Sequence, residues 1–177
     1  MTGFSEQYRE PLRNKERGSM FNVAIITGIS LVAILFRVYV SRFIPYLQYL
    51  ELPLLVTVYF SLMWRSPIAG LFFGAAIGLA QDSLSHHELG MFGIVKTLVG
   101  YFAASMSLRM DVGNPLLRLV LGFFFFIFHQ ILYWVLANAL LKEGLGFDLP
   151  QTLVLAILNA IVAVFLFQLL DRLKITG

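Results

Sequence analysis

The stretch SPIAGLFFGAAIGLAQDSLSHHELGMFGIVKTLVGYFAASMS, residues 66–107, decides how the chain is read. Two apolar runs flank one short segment that holds Asp82, Ser83, Ser85, His86, His87 and Glu88. Such a segment is costly in hydrocarbon, so it reads as a water-facing turn between two membrane helices. In the first run Gly70, Gly74 and Gly78 recur every four residues. At about 3.6 residues per turn they form one stripe along which a second helix can approach closely. In the second run Gly93 and Gly100 lie seven residues apart, two turns, with Ala104 four residues further on. The stripe serves either the helix's own neighbour or the single span of a partner.

Outward from this hairpin the composition stays membrane-like. Of 177 residues 59% are hydrophobic and 13% charged, with a mean hydropathy of +0.81, which leaves too little polar surface for a soluble domain. At roughly 20 residues per span, six helices account for the chain. They are expected over 21–40, from about 46 or 50 to 64, over 66–84, from about 90 to 107, over 116–141, and from 149 or 151 to 170. The expected organisation is a polar tail over 1–20, an all-α transmembrane domain over 21–170 forming a compact bundle, and a short tail over 171–177. The first span is too long for a signal-peptide core and has no small-residue cleavage site after it.

Lys and Arg set the orientation. Arg9, Arg13, Lys15, Arg17, Arg65, Arg109, Arg118, Arg172 and Lys174 fall on one side, against Arg42 and Lys142 on the other. By the positive-inside rule both termini are expected in the cytoplasm. Trp64 then lies at the inner boundary, and Tyr46, Tyr49, Tyr133 and Trp134 toward the outer one, as interfacial belts. The net charge of +3 is scattered among loops, which fits topology and not nucleic-acid binding.

Few residues suggest chemistry. The chain has no cysteine, so thiol nucleophiles and thiolate metal sites are excluded. His86 and His87 are adjacent and diverge on a helix or a strand, which argues against a shared metal. No intramembrane aspartate pair, HExxH or phosphate loop occurs. Asp82 and His86, four apart, form an acid–base pair only if that segment is helical. Otherwise they serve as loop or cap residues. Lys96, two turns into the fourth span, either pairs with Asp82 or snorkels to the interface. Arg37 and Glu51 are placed to pair or to reach headgroups. His129, with Gln130 and Asn159, reads as an interhelical hydrogen-bond group in preference to a proton relay. No enzymatic activity and no cofactor is expected.

A glycine-striped helix running into an aspartate, a short polar loop, Leu-Gly and a second small-residue helix resembles the rod shape-determining protein MreD family of bacterial inner-membrane proteins. The matching positions are Asp82, Leu84, Leu89, Gly90 and Gly100. The chain departs at His86 and His87, where a small residue is expected. The resemblance implies a non-enzymatic subunit of the cell-elongation complex in the inner membrane. Such a subunit binds the membrane-anchored scaffold MreC and through it supports RodA, its partner penicillin-binding transpeptidase and the actin-like MreB. Together with the glycine spacing and the placement of Lys96, it points to Gly70, Gly74, Gly78, Asp82, Gly90, Gly93, Lys96 and Gly100 as packing or partner-binding positions. The family is also similar in fold to the substrate-binding S components of energy-coupling-factor transporters, so a small-molecule transporter component is the alternative.

Overall fold

The computed structural model describes residues 23–40, 43, 45–85, 90–142, 144 and 146–173. It is helical, with no strand among the described residues. The helices are α1 (Val23–Leu35), α2 (Leu52–Trp64), α3 (Pro67–Leu84), α4 (Met91–Ser107), α5 (Pro115–Leu136) and α6 (Leu149–Arg172). Wide π-helical turns extend α1 over Phe36–Val40 and α5 over Ala137–Leu141, and a 3-10 turn, Pro45–Tyr49, leads into α2. Five of these segments are long and apolar enough to cross a bilayer, and α4 is an apolar helix of 17 residues. The chain is a multi-pass helical membrane protein.

Helix starts follow local chemistry. Pro67, Pro115 and Pro150 lie in first turns, where a missing N–H costs nothing. Ser66, Asn114 and Asp148 precede them, and their side chains accept from Ala69, Leu116 and Gln151 N–H groups.

The centre of the bundle is α2. Every residue from Pro53 to Leu62 is buried, matching a sequence that is apolar around its whole circumference. By contrast Val32, Phe72, Phe102, Val154 and Phe165 point outward, as a lipid-facing surface requires. The most extensive interface joins α3 and α4. It is antiparallel and nearly backbone to backbone. A Cβ at Gly70 would overlap the Gly100 carbonyl, one at Gly74 the Lys96 carbonyl, and one at Gly78 the Phe92 carbonyl. The step of four down α3 is matched by a step of four up α4, so the stripe faces its own neighbouring helix. Gly122 of α5 meets Ala160 and Ala163 of α6 in the same manner.

Candidate functional site

The two ends of the bundle carry different polar structures. At the end where α2 finishes, Arg65 adopts a left-handed conformation (φ 53°), and its guanidinium donates to the Ser107 carbonyl at 2.9 and 3.1 Å and to Met110 O at 3.3 Å. These are open carbonyls at the end of α4, where a cation also suits the helix dipole. Nearby, Tyr59 Oη donates to Asp171 Oδ1 at 2.8 Å, and Arg118 pairs with Asp171 Oδ2 while donating to Val112 O. This end is closed by mutually satisfied groups.

At the other end, Asp82 lies in the last turn of α3 and is 1% exposed. Its Oδ2 accepts from Gly90 N (3.0 Å) and Gly93 N (2.9 Å), and its Oδ1 from Phe92 N (3.2 Å). Three open amides at the start of α4 are thereby satisfied by one carboxylate of favourable sign. Gly90, at φ 98°, takes a conformation that favours glycine and turns its N–H toward that carboxylate. The expectation of a water-facing Asp82 is therefore corrected: the charge is accommodated in the interior because three N–H groups replace water. Gly93 is the position that brings α4 against it, with a Cβ there meeting Leu79.

Lys96 neither pairs with Asp82 nor snorkels. It is wholly buried, with Nζ 4.4 Å from the Phe92 ring centroid and no hydrogen-bond partner among the described residues. The close α3–α4 contact fixes the face of α4 that turns inward, and Lys96 lies on it. Both oxygens of Asp82 are already taken up by amides.

Glu51 precedes α2 and is buried. Arg37, on the π-helical turn of α1, reaches Oε1 through Nη2 (2.8 Å) and Nε (2.9 Å), which leaves Oε2 without a hydrogen-bond partner among the described residues. Asn159 of α6 holds this junction. Its Oδ1 accepts from Glu51 N at 3.0 Å, and its Nδ2 donates to Tyr49 O and Leu155 O. The expected bond between Asn159 and His129 is thus replaced by backbone capping across 108 residues of sequence. His129, 1% exposed, lies parallel to Phe92 with centroids 6.0 Å apart, and neither ring nitrogen has a hydrogen-bond partner among the described residues.

These groups border a cavity of about 500 Å³ at this end. Arg37, Glu51 and His129 line it with further polar side chains, Gln48, Gln130 and Gln151 among them, and Phe92, Tyr133, Trp134 and Phe147 supply its aromatic lining. Phe92 stacks on Tyr133 at 5.2 Å, and Trp134 meets the edge of Phe147 at 5.7 Å. Comparisons with protein-family models, curated proteins and solved structures return no match. Among the described residues no three His, Asp or Glu side chains gather as metal ligands. His86, His87 and Glu88, and with them the acid–base pairing of Asp82 with His86, lie outside the described residues.

Phe92 and Phe147 carry no sequence signal as site residues, since each reads as one more apolar residue. Asp171 and Tyr59 are likewise invisible as partners, 112 residues apart.

Proposed function

We propose that the chain is a non-enzymatic subunit of the bacterial cell-elongation complex, of the MreD type, that binds the scaffold MreC in the inner membrane. One observation carries this reading. The stretch that bears the resemblance is built as a single unit, in which Asp82 closes the start of α4 through Gly90 and Gly93 while Gly70, Gly74 and Gly78 lock α3 to α4. The residues of the motif thus have one shared structural purpose, a rigid hairpin whose outer face, with Ile68, Phe72 and Leu79 exposed, is available to another span. In lipid such association depends on close packing and a few polar contacts.

The reading counts α4 as a sixth span. Its 17 residues cover about 26 Å at 1.5 Å each, close to the hydrocarbon thickness. It places both termini in the cytoplasm, where Arg65, Arg109 and Arg118 face the positive-inside side. RodA, its transpeptidase and MreB are then indirect partners.

The cavity at the Glu51 end favours a second reading, a substrate-binding membrane component of a small-molecule transporter, similar in plan to the S components. Depletion in the native rod-shaped cell distinguishes the two. Rounding of the cells with loss of lateral wall synthesis supports the elongation role; retained rod shape overturns it.

A further inference from the structure

The cavity at the Glu51 end is lined by exposed polar side chains as well as by the wholly buried His129. Gln48 and Gln151 are exposed and Gln130 is half-buried. They come from three separate elements: the 3-10 turn before α2, α5 and the first turn of α6. Asp148 Oδ1 takes the main-chain N–H of Gln151 at 3.0 Å, while the carboxamides of Gln48 and Gln151 have no hydrogen-bond partner among the described residues. Each carboxamide offers two donors and one acceptor oxygen. A ligand that meets several of them from different sides therefore needs groups around its rim that both donate and accept.

The rest of the lining narrows the ligand. Trp134 and Phe147 meet edge to face, which gives the cavity an apolar corner. The charges are already answered within the chain: Arg37 is held on Glu51 Oε1 at 2.8 Å, and Asp148 caps α6, where the helix dipole favours it. A volume of about 500 Å³ lies within the range of small-molecule sites. The ligand that answers this lining is small, uncharged and rich in hydroxyls, with one apolar face.

We propose that this cavity is a binding site for a short neutral saccharide. A pyranose ring carries hydroxyls around its rim and C–H bonds on its face. The rim meets the carboxamides of Gln48, Gln130 and Gln151, and the face packs in the Trp134 and Phe147 corner. The sugar is either free or the head group of a glycolipid, which share this chemistry. The site gives a ligand class to the cavity on which the transporter reading rests, yet it concerns the isolated chain. Absence of coupling subunits would remove that reading and leave the sugar site standing.

Trp134 lines the cavity, while Trp64 packs against Phe73 at the opposite end. The chain has two tryptophans, so Trp64→Phe leaves Trp134 as the sole reporter. The full chain, in phosphatidylcholine nanodiscs, is titrated with methyl glucoside, N-acetylglucosamine and maltose. Sorbitol, which has hydroxyls but no ring, and the charged glucosamine and glucuronate are the controls. A saturable blue shift of Trp134 emission by an uncharged sugar is expected, at least fivefold tighter than any control. Gln48→Ala combined with Gln151→Ala, both at exposed positions, retains the thermal transition and weakens binding at least tenfold. Phe147→Ala weakens it likewise, and if one of these variants fails to fold, the other decides. Nanodiscs doped with glucosyl diacylglycerol separate the sources: a shift there that free sugar does not give assigns the glycolipid, and a shift with free sugar in undoped discs assigns the free saccharide. No response to free or lipid-linked sugar, equal affinity for a control, or binding indifferent to the variants overturns the proposal.

Discussion

Gly74 sits against the main-chain carbonyl of Lys96, with no room between the two helices for a side chain. The same residue pair thus ties the closest backbone contact of the hairpin to its one wholly buried lysine.

Gly74→Leu is expected to push α3 and α4 apart. Overpacking of a tight interface costs about 1–3 kcal/mol, and a leucine on a backbone contact lies at the upper end. Thermal unfolding in detergent checks this, with Gly28→Ala as the control: Gly28 has nothing within 4 Å, and alanine there gains helix propensity. A Gly74→Leu transition equal to that of the unsubstituted protein would contradict the packing described.

Asp82→Ala removes the acceptor of three amides at the start of α4. At about 1–3 kcal/mol per stranded buried donor, the loss is at least ~3 kcal/mol. Asp82→Asn keeps one oxygen acceptor and loses less. Hydrogen exchange at Gly90, Phe92 and Gly93 should accelerate in the order Asp, Asn, Ala.

Glu51 lines the cavity and Lys96 lies against its Phe92 wall, so two buried charges of opposite sign share one low-dielectric end of the bundle. Glu51→Gln alone destabilises, because two cations lose their carboxylate. Lys96→Met, of similar volume, is neutral or stabilising, since Nζ makes no hydrogen bond among the described residues. The double variant is more stable than Glu51→Gln alone. A double-mutant cycle on thermal stability measures the coupling, and strictly additive effects would contradict it.

Tyr59→Phe removes one bond to Asp171 and costs about 1 kcal/mol. Arg118→Met costs more, because it removes both the counter-charge of the Asp171 carboxylate and the donor to the Val112 carbonyl. Chemical unfolding of the two variants gives the comparison.

The helical class, the polar breaks and the register of the glycine stripe are legible in the sequence, because period-four spacing of glycine has few other causes. Helix bounds near Trp64, Leu84 and Ser107 follow from Arg65, the 82–88 segment and Arg109 in the same way. Asp82 is harder, since an aspartate at the end of an apolar run reads as a loop residue. Its burial depends on amides that only the folded turn presents. Whether Lys96 faces lipid or core is decided by which face of α4 the glycines turn inward. The central place of α2 is hinted at by an apolar run with no polar face, yet centrality is a property of five neighbours. The cavity joins residues from 37 to 155, and no local pattern encodes that convergence.

The measurement that tests the central claim most directly is affinity purification of the tagged protein from native membranes in mild detergent, in parallel with Gly74→Leu. The account predicts recovery of a single-span scaffold together with cell-wall synthases, and their loss from the variant. Recovery of ATPase subunits with a transmembrane coupling protein, and no scaffold, would contradict it.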